Sequence, residues 1–268
     1  MPTLARSLLK RSRRLVRKGI ERSLHVQLVP EGEAARIFER EHLRRFFRHF
    51  QVDCVFDVGA NVGQYATMLR AHVGYRGHII SYEPIPQTAA KLRAAAAGDR
   101  AWHVEELALD RASGFATFNC YDADEMSSFH ALSPLGEAQF ENERKQVRAV
   151  RVRTATLADE LARYAPKLGF QRPYLKMDTQ GHDLAVAAGA GERLREFVGL
   201  QSELAIRRLY AESPRYEEAI RFYEEFGFEL SALVPNNLGF FPRLLEMDCI
   251  MFRAPQLPQK SEPIAALR

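Results

Sequence analysis

An α/β fold with a doubly wound, mostly parallel sheet is predicted by three features of the 268-residue sequence. Short apolar runs of strand length alternate with segments of helical periodicity, which is the pattern of βαβ units. One such run, CVFDV, passes straight into a glycine-bearing turn and then a helix. The chain also closes on two strand-like runs, FELSALV and DCIMFR, with no helix between them. Strands joined in that way must pair antiparallel, so the last strand of the sheet reverses.

The stretch 54–63, CVFDVGANVG, organises the rest, and the following QYATMLRAHV carries a helical stripe of Tyr65, Met68, Leu69 and Val73. Gly59 and Gly63 lack side chains and admit a ligand close to the backbone, while Asn61 is the expected cap of the helix. Asp57 decides between ligands. A pyrophosphate on this helix N-terminus would be repelled by a carboxylate two residues before the first glycine, whereas a cation is attracted. S-Adenosylmethionine carries an ammonium and a sulfonium and no phosphate, so an acid followed by GxNxG suits it better than a dinucleotide.

The length suffices for one α/β domain with a full core, and we read residues 33–253 as that domain, preceded by a basic arm (1–32) and followed by a flexible, proline-rich tail (254–268). The net charge of +4 is uneven: residues 1–22 hold eight Lys or Arg against Glu21 alone, leaving the remainder slightly acidic. Leu4, Leu8 and Leu15 recur among these bases. Two readings of the arm stand, a solvated segment and an amphipathic helix resting on an anionic membrane surface, and a transit peptide is also compatible. Nucleic-acid binding is not expected, because the arm lacks interleaved aromatics. No run approaches the length needed to span a bilayer and no signal-peptide core follows the basic start, so the expected location is cytoplasmic, with peripheral contact at the inner membrane face through the arm as the variant. Cys54, Cys120 and Cys249 are widely spaced and odd in number, which points to buried reduced thiols rather than a disulfide or zinc framework.

In chain order, 33–50 places Phe38, His42, Leu43, Phe46, Phe47 and Phe50 at helical intervals, a lead-in helix whose phenylalanines are expected in the core. HIISYEP is the second strand and delivers Glu83 to its C-terminal end, one βαβ step after the glycine turn, where an acid accepts hydrogen bonds from both ribose hydroxyls. An alanine-rich helix over 89–97 follows. A third strand, 102–109, ends near the expected adenine position, with Glu106 and Ala108 as candidates there. The alternating run 115–121 and a partner at 147–152 form a hairpin that interrupts the doubly wound pattern, and Ser127, Ser128 and His130 between them are candidates to face substrate. Ser133 and Pro134 start a helix. A helix over 156–165, the strand YLKMD, a helix from TQGHD to Phe197 and the strand LQSELA come next; Asp178 and Glu203 reach the carboxyl edge where ligands of open sheets collect. Ser213 and Pro214 give the expected N-cap and first turn of a helix closed by Gly227.

The order of strands, glycine turn, second-strand acid and antiparallel end matches the Rossmann-like class I methyltransferase sheet of seven strands. More closely, VFDVGANVGQYA, ISYEP, YLKMDTQGHDLAV, LQSELA and LLEMDCIMFR together resemble, over about residues 52–253, the FkbM family of S-adenosylmethionine-dependent methyltransferases. The resemblance implies methyl transfer to a hydroxyl of a sugar, glycolipid, polysaccharide or polyketide, with Asp57, Gly59, Ala60, Asn61, Gly63 and Glu83 holding the cofactor. Where the family often has a glutamate two residues beyond the glycine of the fourth-strand motif, this chain has Asp183, and His182 replaces a common aromatic.

For the proton leaving the acceptor hydroxyl, Asp178 and His182 are the candidate bases. A magnesium ion held by Asp178 and Glu203 is the competing device. The enzyme rival is a nicotinamide-dependent oxidoreductase, opposed by Asp57 and by the lack of a YxxxK pair; the non-enzyme rival is a cofactor-binding scaffold that uses the basic arm.

Overall fold

A computed structural model describes residues 23–24, 34–120, 128–139, 148–235 and 242–254. The basic arm at 1–22, Ser127, and the tail beyond 254 lie outside the described residues. Two compact units divide the chain between residues 38 and 39, and the second carries both sheets.

The lead-in helix α1 (Ala34–His49) buries Leu43, Phe46 and Phe47. Phe46 and Phe47 meet Tyr174 edge-on at ring separations of 5.4 and 4.9 Å, a contact with attraction beyond area burial alone. Phe38 does not join them. It is 53 % exposed, because its five-residue offset from Leu43 turns it off the 43/46/47 stripe.

Strand β1 (Cys54–Val58) leads into α2 (Gln64–Met68), which continues as a wider turn of helix, Leu69–Val73. Then come β2 (His78–Tyr82), α3 (Pro86–Ala96), β3 (Trp102–Glu105), β4 (Ala108–Leu109) and β5 (Gly114–Cys120). After the short α4 (Pro134–Gln139) follow β6 (Arg148–Ala155), α5 (Leu157–Leu168), β7 (Pro173–Met177), α6 (Asp183–Ala188), a 3-10 turn (Gly191–Glu196), β8 (Gly199–Ala205), α7 (Tyr216–Glu225), β9 (Phe228–Pro235) and β10 (Glu246–Arg253).

Seven strands form one sheet in the order β3-β2-β1-β7-β8-β10-β9. All neighbours are parallel except β10, which runs antiparallel to β8 and β9. This is the Rossmann-like class I sheet expected from the sequence, with its switch of winding direction between β1 and β7. Alternation along β1 shows the two cores: Cys54, Phe56 and Val58 pack with α5, α6 and α7, while Val55 packs with α1, α2 and α3. Cys54, Cys120 and Cys249 are all buried.

Three expected elements differ in detail. The strand over 102–109 is two strands: the chain leaves the main sheet after Glu105, and Ala108 pairs with Thr154 in a separate sheet, β4-β6-β5. The expected hairpin is the antiparallel β5/β6 pair of that sheet. The helix from TQGHD to Phe197 breaks after Ala188 and resumes as the 3-10 turn. Helix α7 has Arg215 as its N-cap, whose backbone N–H donates to Glu218 Oε2 at 2.8 Å while the Glu218 N–H donates to the Arg215 carbonyl; Ser213 does not cap it, its hydroxyl donating instead to the Tyr210 carbonyl. Ser133 does open α4, its Oγ accepting from the Gly136 N–H.

Candidate cofactor and active site

The ends of β1 and β7 meet at the switch point, where the Asp178 N–H donates to the Val58 carbonyl. Gly59, directly after β1, has φ +76°, and a Cβ there would lie 2.0 Å from the Asp178 carbonyl oxygen. Gly63, at φ +92°, would drive a Cβ to 2.8 Å from the Trp102 ring. Both glycines are thus demanded by protein neighbours of the loop, a strand end on one side and an indole on the other.

Four amides of this loop are occupied. Those of Gly59 and Ala60 donate to the Tyr82 carbonyl, that of Gly63 to Ala60, and that of Asn61 to Glu83 Oε2 at 3.0 Å. A phosphate-binding turn presents such amides to the ligand; here protein acceptors hold these four. Asn61 sits in the left-handed region at φ 48° and does not cap α2, whose N-cap is Gly63 without a side-chain bond. Its part in the loop is this backbone link to Glu83.

Glu83 is 6 % exposed at the end of β2. Its second oxygen, Oε1, accepts from the Ile85 N–H at 2.9 Å, so one carboxylate braces the glycine loop and the start of α3 together. A carboxylate offers about four acceptor sites, so this bracing is compatible with gripping ribose hydroxyls. Glu106, beyond β3, is paired with Arg93 of α3. Ala108 is buried with Ile85, Phe118 and Val152.

Asp57 is fully buried. Its Oδ2 accepts from Ser81 Oγ at 3.0 Å, Ser81 Oγ in turn accepts from Trp102 Nε1 at 2.9 Å, and Oδ1 is buried without a hydrogen-bond partner among the described residues. Burial pushes this carboxyl up, against the downward pull of Lys176 and Ser81. Register explains the neighbourhood. Ser81, Asp57, Lys176 and Gln201 stand opposite one another on β2, β1, β7 and β8, a polar row across four strands, each member at most 6 % exposed. Apart from Asp57, none of these was singled out in the sequence. The signal was there, since VFDV, ISY and LKM each carry one polar residue inside an otherwise apolar run, and LQS sets Gln201 after an apolar start.

On the β7 side, Asp178 Oδ2 lies 3.0 Å from Lys176 Nζ and Oδ1 accepts from Gln180 Nε2 at 2.9 Å. The same Gln180 nitrogen donates to Glu203 Oε2 at 3.1 Å. An amide NH2 therefore stands between the two carboxylates proposed to share a metal. Among the described residues no group of three or more His, Cys, Asp or Glu is placed to hold a metal ion. Burial, then Glu246 and Asp178, push the Glu203 carboxyl well up.

His182 Nε2 lies 2.9 Å from Asp110 Oδ1 and Nδ1 3.2 Å from His130 Nε2, so both ring nitrogens have protein partners. Burial lowers the His130 imidazole, with His182 beside it. Ser128 is fully buried and donates to the Gln180 carbonyl at 2.8 Å, which lays the 128–130 segment over the turn after β7. Asp183 is a clamp. Its Oδ1 takes the N–H and hydroxyl of Thr179, and its Oδ2 takes Ser202 Oγ at 2.7 Å and the Glu203 N–H at 3.0 Å.

The model of the FkbM methyltransferase domain matches residues 57–230. A curated relative from Streptomyces tacrolimicus, described as 31-O-demethyl-FK506 methyltransferase FkbM, is 37 % identical over 110 residues. That match covers 38 % of this chain and 42 % of the relative, so it spans less than half of either. Among solved structures, magnesium protoporphyrin IX methyltransferase from Synechocystis, determined with bound S-adenosylmethionine, superposes with a TM-score of 0.44 at 9 % identity, covering 90 % of this chain and 96 % of that one. Fibrillarin from Aeropyrum pernix gives 0.38 at 14 % identity, covering 74 % and 66 %.

Proposed function

The chain belongs to the FkbM methyltransferase family, and on that premise we propose that it moves a methyl group from S-adenosylmethionine to a hydroxyl of a sugar, glycolipid, polysaccharide or polyketide-type acceptor. The observation that carries the cofactor half is the glycine loop itself. Four of its amides are held by protein acceptors, an acid lies buried beneath it and a second acid braces it. That donor set fits a phosphate-free, cationic ligand with a ribose. The oxygen as methyl acceptor is supported by the name of the Streptomyces relative.

Asp57, Gly59, Ala60, Asn61 and Gly63 line the cofactor in this reading, Glu83 takes the ribose hydroxyls, and Glu106 and Ala108 stand on the adenine side. When bound, the sulfonium supplies an electrophilic methyl with a good leaving group. The protein then supplies alignment and a route for the hydroxyl proton. Asp178, with 37 % of its side chain exposed at the switch point, takes that proton in this reading. His182, engaged by Asp110 and His130, acts as a positioning residue for the turn that carries Gln180 and Asp178.

The test is to incubate the protein with methyl-labelled S-adenosylmethionine and fractionated glycans and lipids from a lysate. Label on an ether oxygen of a glycan, lipid or polyketide fraction supports the reading. Label on nitrogen or carbon, or cofactor binding without transfer to any fraction, contradicts it.

A further inference from the structure

The buried ammonium of Lys176 is the cationic member of the polar row, and methyl transfer itself leaves it without a role. It is 6 % exposed in the middle of a parallel sheet, where an unpaired ammonium would be prohibitively costly to desolvate. It survives there because carboxylates surround it: Asp178 Oδ2 at 3.0 Å on its own strand, Asp57 opposite it on β1, and Asp248 on β10. The ring of Tyr65 from α2 covers it, its centroid 5.3 Å from Nζ.

Asp248 stands two strands away on β10, where its Oδ2 accepts from Gln201 Nε2 at 3.4 Å, so the switch point itself holds two carboxylates, Asp57 and Asp178, and one ammonium, with a formal charge of −1. The methylated cofactor brings a sulfonium that neutralises this remainder, and the demethylated product, S-adenosylhomocysteine, is a neutral thioether that does not. We propose that Lys176 is a fixed internal counter-cation whose pairing with Asp57 and Asp178 sets the floor of the cofactor site to a single negative charge, making the site discriminate the sulfonium from its thioether product. This rests on the reading that S-adenosylmethionine binds here. Lys176 acts through its field and need not touch the ligand. An over-negative floor would hold the sulfonium too tightly and a neutral one would lose the preference for it.

The experiment measures the affinity of the purified full chain for S-adenosylmethionine and for S-adenosylhomocysteine by calorimetry, and reads the ratio of the two. Asp57→Asn removes the surplus charge, and the preference for the sulfonium is expected to fall by on the order of tenfold. Lys176→Met, which leaves both carboxylates without their counter-ion, is expected to raise it by a similar factor, and Lys176→Arg to restore the wild-type ratio. Changes of packing alone would move both affinities together and leave the ratio fixed. An unchanged ratio in Asp57→Asn overturns the proposal even if Lys176→Met does not fold, and so does a folded Lys176→Met with the wild-type ratio. If the wild-type protein binds neither compound, it is the cofactor reading that fails.

Discussion

Glu83 is placed to do two jobs, and a single substitution separates them. Its oxygens accept from the Asn61 and Ile85 amides, one on each side of the cofactor loop. In Glu83→Gln the amide keeps one acceptor oxygen, so one buried N–H faces an NH2 group; such a loss costs about 1–3 kcal/mol of stability. If the carboxylate also takes the ribose hydroxyls, charge-assisted hydrogen bonds become neutral ones or are lost. At ~1.5–3 kcal/mol for a hydrogen bond to a charged group, the affinity for S-adenosylmethionine falls by roughly 10- to 100-fold. Urea unfolding and calorimetric titration on the same preparation measure the two effects. A variant that loses stability yet binds the cofactor like the wild type would show that Glu83 only braces the loop, and the reasoning about the ribose would be refuted.

Removing the Asp183 carboxylate in Asp183→Ala strands four donors on Thr179, Ser202 and Glu203, and the midpoint of urea unfolding should drop by the equivalent of about 3–5 kcal/mol; a wild-type midpoint with abolished turnover would assign Asp183 to the chemistry instead. Glu246 is pushed up to about 8 by burial, Asp178 and Asp183, from an ordinary 4.5. The native state therefore binds a proton that the unfolded chain has released, and this group's contribution to stability declines as pH rises from about 5 to 8. Glu246→Gln is expected to match the wild type near pH 5 and to exceed it by ~1–3 kcal/mol near pH 9, discounted for partial exposure; equal melting curves at both pH values would contradict this. Turnover is expected to persist after exhaustive chelation, since the Gln180 amide links Asp178 and Glu203, and to fall on the order of 100-fold in Asp178→Asn. Loss of turnover on chelation with recovery on adding magnesium would restore the metal.

The strands and their order were readable because each is a short apolar run closed by polar or glycine-bearing residues, and because two runs without an intervening helix leave a single pairing direction. Glu83 and Asp178 were readable for the same reason, as acids at strand ends. Less visible were features created by neighbours distant in sequence. Gly59 and Gly63 read as openings for a ligand, yet the Asp178 carbonyl and the Trp102 ring account for them. Asn61 reads as a cap from its type, but the left-handed backbone there directs its N–H to Glu83. The strand at 102–109 looks continuous because Leu107 and Leu109 are as apolar as a strand requires; only the pairing of Ala108 with Thr154 shows that they serve another sheet. Lys176 and Gln201 gain meaning from register, which places Lys176 beside Asp57 and Gln201 beside Lys176 and which a single strand does not contain.

The phosphate-free character of the loop after β1 underlies both the cofactor assignment and the reaction. The direct measurement is a calorimetric titration of the full chain with S-adenosylmethionine beside one with NAD. Saturable binding of S-adenosylmethionine with a dissociation constant on the order of micromolar, and no saturation with NAD, is the predicted result. Saturable NAD binding, or failure of S-adenosylmethionine to bind at millimolar concentration, would contradict it.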